Sequence, residues 1–283
     1  MKITLVAILS FLKFFALPLS LAAPPPAVTT TCTNNAQNGL NYCVIKPVKT
    51  TNQDILYYFH GLQGNVHEWQ NLPGYGTTYQ TWANQAPIVV TISFGPIWLL
   101  AERNASASSG LYESFIFSAL PFIEKSENLH PLHRLLMGLS MGGFNAAQIY
   151  LKNPSLFSKV ALACPALTRV GPYSGQNAIQ EYITRTHAQP SQVEKALSVS
   201  SSFFPDETSW ETADSIALAS KLVNPNFPPL FASGGMQDEY GFFEGALAFV
   251  NAISIHGAQA HFTELQGGHC TYDWIGTANF LVP

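Results

Sequence analysis

The sequence has few charged residues, few cysteines and no long apolar run beyond its N-terminus. Of 283 residues, 11% are charged, 47% hydrophobic and 12% aromatic. This excludes a disordered chain, which needs high charge and few aromatic residues. Thirteen Lys and Arg against 17 Asp and Glu, with no basic run, argue against a nucleic-acid-binding protein. Four cysteines are too few for a disulfide scaffold, and the body is not a polytopic membrane protein.

The N-terminus has the pattern of a secretory signal peptide, predicted over residues 1–22. Lys2 precedes an apolar run, and Ser20 and Ala22 provide small residues for cleavage. An uncleaved anchor is the alternative, but Lys13 interrupts the run. Cleavage after residue 22 would leave 261 residues, with 11 basic against 17 acidic side chains and a net charge of −6. The prediction is a secreted or periplasmic protein with no stable membrane insertion.

Residues 23–53 are predicted to form a flexible leader (23–31) followed by a hairpin closed by a disulfide. Cys32 and Cys43 flank Asn-Asn and Asn-Gly, which are turn dipeptides. In an oxidising compartment a bond between them would stabilise the hairpin by roughly 2–3 kcal/mol. Two unpaired thiols are the alternative.

Residues 54–283 alternate strand and helix patterns. This alternation predicts an α/β domain with a mainly parallel sheet covered by helices on both faces. Residues 168–227 break the rhythm and are predicted to be an insertion over one end of the sheet. Strands are predicted at 54–59, 87–93, 134–139, 159–164, 229–233 and 260–266, and helices at 112–124, 141–152 and 239–256.

A G-x-S-x-G pentapeptide, residues 138–142, lies between an apolar strand and a helix rich in small residues. That setting is typical of a nucleophile elbow, in which glycines permit a sharp turn and a serine is raised out of the sheet. Ser140 is therefore the predicted nucleophile. An ordinary glycine-rich turn is the alternative.

A serine nucleophile needs a base and an acid, which in α/β-hydrolases follow it in the order acid, then histidine. Of the four histidines after Ser140, His269 follows the last strand and a Gly-Gly pair, so it is the predicted base. Asp238 follows the strand at 229–233 and is the predicted acid, with Glu239 as the alternative.

Backbone amides are expected to stabilise an oxyanion. One should come from Met141, directly after the nucleophile, and the other from the glycine-rich loop after the strand at 54–59. Leu62 is the predicted donor there, with Gly61 or Gln63 as alternatives. No metal site or cofactor is predicted, because the Cys and His residues lack metal-ligand spacing and the glycine-rich segments lack a phosphate-binding lysine.

These motifs together resemble one branch of a known superfamily. Residues 58–62 are similar to its oxyanion loop, 111–123 to its helix before the elbow strand, 138–143 to its nucleophile segment, 235–238 to its G-x-x-D acid turn, and 268–274 to its histidine segment. The chain thus resembles the esterase-D-like branch of the α/β-hydrolases, over most of 54–274. That branch includes S-formylglutathione hydrolases, feruloyl and acetylxylan esterases and mycolyltransferases. Trp274, within the histidine segment, is expected near the substrate.

The resemblance implies an α/β-hydrolase fold and a serine esterase that acts on small-molecule or polymer-linked carboxylic esters through an acyl-enzyme. Acyl transfer to another acceptor uses the same residues and stays open, as do a peptidase and a catalytically silent binding protein. The sequence does not decide the oligomeric state.

Two further expectations concern the surroundings of the triad. The insertion carries several large aromatic residues, of which Phe203 and Phe204 are predicted to line the substrate pocket. The alternative is that they only dock the insertion on the core.

Cys164 and Cys270 both lie on the catalytic edge, but the sequence does not predict a bond between them, because their separation cannot be read from it.

Overall fold

A computed structural model describes residues 27–36, 39–103, 110–222 and 226–282 of the chain. The predicted signal peptide lies outside the described residues. Within them, one sheet contains eight strands: β1 Val28–Thr33, β2 Asn41–Pro47, β3 Ile55–Phe59, β4 Ile88–Ser93, β5 Arg134–Leu139, β6 Lys159–Ala163, β7 Leu230–Gly235 and β8 Ala260–Leu265.

The sheet has the order β1-β2-β4-β3-β5-β6-β7-β8. Strands β3 to β8 are parallel, whereas β1 and β2 add an antiparallel hairpin at the β4 edge. Since parallel strands end at one edge, the loops after β3, β5, β7 and β8 all open on the same side of the domain. The prediction of a mainly parallel sheet, and the α/β-hydrolase fold class, are confirmed.

Helices cover both faces of the sheet, and alternate residues of each strand pack on opposite faces. In β3, Tyr57 and Phe59 face one apolar cluster and Leu56 and Tyr58 the other. The helices are α1 Glu68–Asn71, α2 Tyr75–Trp82, α3 Leu111–Ser114, α4 Leu120–Ser126, α5 Met141–Lys152, α6 Gln176–Thr186, α7 Pro190–Phe203, α8 Glu207–Glu211, α9 Ser215–Ser220, α10 Phe242–Ile255 and α11 Trp274–Leu281, with a π-helical segment Phe115–Ala119 joining α3 and α4 and a 3-10 turn Ala83–Gln85. Within the described part of the chain, no helix is both long and apolar enough to cross a membrane.

Two element boundaries differ from the predictions by three residues or more, and the other predicted strands and helices differ by no more than two. Strand β1 begins at Val28, inside the segment predicted as a flexible leader, because residues 28–33 pair with β2. Helix α10 begins at Phe242 instead of 239, because residues 238–241 form a turn in which Gly241 adopts a left-handed φ of 76°. The predicted strand at 134–139 and helix at 141–152 are confirmed.

In the described part of the predicted insertion there are four helices, α6 to α9. Part of it forms a small apolar cluster of its own, made of Val170, Tyr182, Ala188 and Val193. The segment around Phe204 and Trp210 instead packs against the main core. The insertion therefore has two parts, one anchored in the domain and one that packs largely on itself.

Both pairs of cysteines form disulfides. Cys32 and Cys43 are opposite one another in the β1–β2 pairing, with Cα atoms 4.0 Å apart, which confirms the predicted hairpin bond. Cys164 and Cys270, which the sequence did not pair, are also bonded, with a Cα separation of 4.9 Å. Parallel β6, β7 and β8 bring the loops that carry them to the same edge of the sheet.

Candidate active site

Ser140 occupies the sharp turn between β5 and α5. Its φ of 51° and ψ of −111° lie outside the conformations that non-glycine residues usually adopt. The glycines around it are required by space, since a Cβ on Gly138 would overlap the backbone of Gly142, and one on Gly142 would overlap the Phe59 carbonyl. The tight turn raises Ser140 to the N-terminal end of α5, where the helix dipole is positive.

Ser140, His269 and Asp238 lie in one hydrogen-bonded series. Ser140 Oγ is 2.8 Å from His269 Nε2, and His269 Nδ1 is 2.7 Å from Asp238 Oδ2. A carboxylate is only an acceptor, so Nδ1 carries the hydrogen and Nε2 is left to accept from the serine hydroxyl. The arrangement can remove a proton from Ser140 and stabilise the imidazolium that results.

Asp238 is buried and oriented by the turn it opens. Its Oδ1 accepts the backbone N–H of Tyr240 at 2.8 Å, which leaves Oδ2 for the histidine. Glu239, the alternative acid, does not reach the imidazole; its Oε2 accepts the backbone N–H of His269 at 2.8 Å. That hydrogen bond lowers the pKa of Glu239. The neighbouring carboxylates thus hold different parts of one residue, Asp238 the ring and Glu239 the main chain.

The loop after β3 lies beside the serine. A Cβ built on Gly61 would lie 3.6 Å from Ser140 Cβ. The Gly61 N–H is donated to Glu68 Oε1 at 2.9 Å, and the Gln63 N–H to the Pro96 carbonyl at 2.7 Å. Within the described residues the Leu62 N–H between them has no such partner. Of the three amides considered from sequence, Leu62 is therefore the one left free to bind an oxyanion.

Met141 provides the second predicted amide. It is the first residue of α5, so its N–H has no acceptor one turn earlier in the helix. Because it directly follows Ser140, this amide lies next to the nucleophile.

His60 is buried behind the same loop, and within the described residues its side-chain hydrogen bonds go to Gly61, Ser93 and Trp98 and not to the triad. Its Nε2 accepts from Trp98 Nε1 at 3.0 Å, so its Nδ1 donates to the Gly61 carbonyl at 2.7 Å. Burial lowers its pKa, which keeps the ring neutral. His60 therefore supports the loop.

A cavity of about 230 Å³ opens at Ser140 and His269. One wall comes from the domain: the oxyanion loop with Leu62 and Glu68, then Leu99, Leu139, Met141, Phe144, Tyr240 and Phe242. The facing wall comes from the insertion: Lys195, Ala196, Val199 and Ser200 on one face of α7, with Trp210 from α8. The cavity is mostly apolar with few polar groups, as expected of a small-molecule site.

The predicted pocket residues Phe203, Phe204 and Trp274 do not line this cavity, which corrects the expectation. Phe204 is fully buried against Phe144 and Trp210, because the chain turns inward where α7 ends. Phe203, at the end of α7, is partly buried against the core.

Trp274 lies at the start of α11, on the other face of the sheet. Its ring packs on Tyr272, with centroids 3.9 Å apart, and fills the space left by Gly74. It therefore helps to dock α11 on the domain and does not line the cavity.

Residues that sequence analysis missed include Glu68, Ala196 and Val199. A helix face with Ala and Val carries no chemical signature, and Glu68 is seven residues from Gly61 in no known pattern. The Cys164–Cys270 bond was also missed; Cys270 lines the cavity directly after His269.

The described Cys-His groups near Cys32 and Cys164 do not fit a metal site, because their sulfurs are in disulfides.

A mainly parallel sheet with a strand–serine–helix turn and an acid and a histidine after later strands defines the α/β-hydrolase superfamily. A narrower assignment comes from a family model described as "Putative esterase", which matches residues 40–277. The chain belongs to that family and is a carboxylic ester hydrolase. A comparison with curated proteins found no match.

Solved structures of esterases share the fold at low sequence identity. A structure titled ferulic acid esterase is 16% identical, with a TM-score of 0.61, over 89% of this chain and 93% of its own. A brefeldin A esterase, described as a bacterial homologue of human hormone sensitive lipase, is 19% identical with a TM-score of 0.59, over 93% and 75%. An arylesterase is 14% identical with a TM-score of 0.60, over 91% and 82%. These similarities establish the α/β-hydrolase fold.

Proposed function

We propose that the protein is a secreted serine esterase in which Ser140 is the nucleophile, His269 the general base and Asp238 the acid. The observation that carries the proposal is the hydrogen-bonded series, with 2.8 Å from Ser140 Oγ to His269 Nε2 and 2.7 Å from His269 Nδ1 to Asp238 Oδ2. Both distances are within the reach that proton transfer requires. The series ends at an apolar cavity that admits a small ester.

In acylation, Ser140 Oγ attacks the carbonyl carbon of the ester while its proton passes to His269 Nε2. Asp238 stabilises the imidazolium, and the oxyanion is held by the N–H groups of Leu62 and Met141. The carbon–oxygen bond to the alcohol then breaks, and the leaving alkoxide takes the proton from His269 Nε2. The product is an alcohol and an acyl group bound to Ser140 Oγ.

Deacylation repeats these steps with water in place of the serine. His269 Nε2 accepts a proton from water as its oxygen attacks the acyl carbon, and the same two amides hold the second oxyanion. Collapse of that intermediate releases the carboxylic acid and returns the proton to Ser140. An alcohol acceptor would follow the same route and give a transferred ester.

Covalent labelling with a fluorophosphonate, together with hydrolysis of p-nitrophenyl acetate and butyrate, tests the nucleophile. Ser140→Ala should abolish labelling and lower kcat by at least about 1,000-fold with unchanged folding, since loss of a triad member leaves only binding and the oxyanion hole. His269→Ala should lose similar activity. Ser158→Ala, at the opposite end of the sheet, is the matched control. Full turnover by Ser140→Ala would refute the proposal.

The acid is tested by comparing Asp238→Asn with Glu239→Gln. Asp238→Asn should cost more in kcat, because an amide at Oδ2 favours the wrong tautomer of His269. Glu239→Gln keeps an oxygen that can accept the His269 backbone N–H, so a smaller loss is expected. A larger loss for Glu239→Gln would transfer the role of the acid to Glu239.

Secretion is supported by the signal-peptide pattern of residues 1–22 and by the two disulfides, which are typical of oxidising compartments. Mass spectrometry of protein recovered outside the cytoplasm should give a mature N-terminus near Ala23. An intact Met1 in the exported protein would instead indicate an uncleaved anchor.

A further inference from the structure

The loop that carries the Leu62 amide is held by a carboxylate with no part in proton transfer. Glu68, the first residue of α1, lines the catalytic cavity, and its Oε1 accepts two hydrogen bonds. One comes from the Gly61 N–H at 2.9 Å and the other from Tyr58 Oη at 2.7 Å. A Cβ on Gly64 would overlap the Glu68 carboxylate, so the loop bends closely around it.

Tyr58 fixes the position of this carboxylate from below. It is fully buried in β3, and burial raises its pKa well above the usual value, so the hydroxyl keeps its proton and donates. Its ring also packs on Trp69, with centroids 5.1 Å apart. Glu68 is therefore held against the sheet, and the hydrogen bond to Gly61 ties the loop to the sheet through a charged acceptor, the stronger kind of hydrogen bond.

The direction of the Leu62 N–H follows from the bonds on either side. The Gly61 carbonyl accepts from His60 Nδ1 at 2.7 Å and from the Gly64 N–H at 3.0 Å. In a planar trans peptide the carbonyl and the following N–H point in opposite directions, so the Leu62 N–H points away from His60. Glu68 fixes the preceding peptide through the Gly61 N–H. Both peptides that meet at Gly61 are thus held while the Leu62 amide is left free.

We infer that Glu68 is a positioning residue for the oxyanion loop, holding Gly61 so that the Leu62 N–H faces the oxyanion formed at Ser140. The inference rests on the proposed function. Glu68 acts by geometry and not by charge, because a negative charge near a developing oxyanion disfavours it. Glu68 therefore helps to stabilise the transition state and not the bound ester in its ground state. Its loss should lower kcat with little effect on KM.

Glu68→Ala and Glu68→Gln separate geometry from charge. With p-nitrophenyl acetate, Glu68→Ala should lower kcat by about 10- to 100-fold, since loss of a whole oxyanion donor costs about 100- to 1,000-fold. KM should stay within about twofold, and affinity for an alkylboronic acid, which forms a tetrahedral adduct with the serine, should fall in parallel with kcat. Glu68→Gln keeps an oxygen acceptor and should retain kcat within about fivefold. Asn71→Ala, exposed on the same short helix, is the control.

Two outcomes would overturn the inference: a folded Glu68→Ala variant with unchanged kcat, or a Glu68→Gln variant that loses as much kcat as Glu68→Ala. If Glu68→Ala does not fold, Tyr58→Phe decides, because it removes only one of the two bonds to Oε1. A fall in kcat of about three- to tenfold with constant KM supports the inference, and no change refutes it. Ser140→Ala is measured alongside to separate the two hypotheses. If Ser140→Ala is inactive and Glu68→Ala has a wild-type kcat, only the role of Glu68 is refuted. If Ser140→Ala is active, the proposed function itself is refuted.

Discussion

The two walls of the catalytic cavity differ in how they are built. The domain wall consists of strand ends and the turns that follow them, fixed by sheet pairing, by glycine contacts at the elbow and by the Cys164–Cys270 disulfide. The insertion wall is one face of α7 with Trp210 of α8, and the separate cluster to which α7 contributes Val193 has four buried residues within the described part of the chain. The catalytic groups Ser140, Asp238 and His269 therefore lie on the domain wall, which cannot move without disrupting the fold. We expect the insertion wall, which has fewer constraints, to set the size of the substrate.

The first prediction tests the disulfide that fixes the domain wall. A Cys164→Ser, Cys270→Ser double variant should lose up to about 4–5 kcal/mol of unfolding free energy, because the bond closes a loop of about 100 residues. It should also lower kcat, since Cys270 holds the loop that carries His269. Urea unfolding and steady-state kinetics measure the two effects.

The hairpin disulfide is the matched control for that variant. A Cys32→Ser, Cys43→Ser variant opens a loop with a sequence separation of 11 and should lose about 2–3 kcal/mol. Neither residue lines the cavity, so kcat should be unchanged. Equal kinetic losses in the two double variants would show that the Cys164–Cys270 bond has no particular role at His269.

The second prediction concerns Phe204, where the insertion enters the core. Phe204→Ala should cost about 3–5 kcal/mol of unfolding free energy, because the ring is fully buried between Phe144 and Trp210. The ratio of kcat/KM for butyrate and acetate esters should change little. Phe117→Ala, at a side chain that is 73% exposed, should change stability by less than about 0.5 kcal/mol. A change in ester preference without loss of stability would return Phe204 to the pocket.

The catalytic groups of the domain wall could be predicted from the sequence because each of them follows a strand. Parallel strands bring their ends to one edge, so knowing that Ser140, Asp238 and His269 each follow a strand is enough to bring them together. The elbow glycines add a local signal, since space allows no other residue there. The start of β1 was misplaced because its exposed Thr-rich sequence has no buried face to show a pattern.

The insertion wall could not be predicted, because large aromatic residues mark burial as readily as they mark a pocket. Phe204 and Trp274 are used for docking, whereas Ala196 and Val199 shape the cavity by being small. The role of Glu68 depends on hydrogen bonds to Tyr58 and to a backbone amide, and neither partner is recorded in the sequence pattern. Whether such a residue lines the cavity, docks the insertion or positions the loop depends on distances between parts of the fold. The hydrophobic periodicity of one sequence gives no information on those distances.

The third prediction changes the insertion wall where its side chain is smallest. Ala196→Phe should fill part of the cavity and lower kcat/KM for hexanoate esters by about 10- to 100-fold relative to acetate, which corresponds to the loss of a few methylene contacts. Ser198→Phe adds the same ring to an exposed position of α7 and should leave the ratio unchanged. Equal losses for both ester lengths in Ala196→Phe would mean that α7 does not bound the acyl chain.

The fourth prediction has the smallest expected effect on activity and concerns the contact between the insertion and the domain wall. Tyr182 of α6 donates from Oη to the backbone carbonyl of Tyr240, at 3.0 Å, in the turn that begins with Asp238. Burial raises the pKa of Tyr182, so the hydroxyl remains a donor at ordinary pH. Tyr182→Phe should cost about 1 kcal/mol of unfolding free energy and lower kcat by about two- to fivefold, because the acid turn loses one of its supports.

Tyr173→Phe is the matched control for this contact. Tyr173 also lies in the insertion and donates to a backbone carbonyl, that of Phe204, but the bond joins two parts of the insertion and does not reach the acid turn. It should cost a similar amount of stability and leave kcat unchanged. If both variants lower kcat equally, the insertion affects catalysis through its general stability. If only Tyr182→Phe does, the effect passes through the Tyr240 carbonyl to the turn that holds Asp238, and the two walls are coupled at this hydrogen bond.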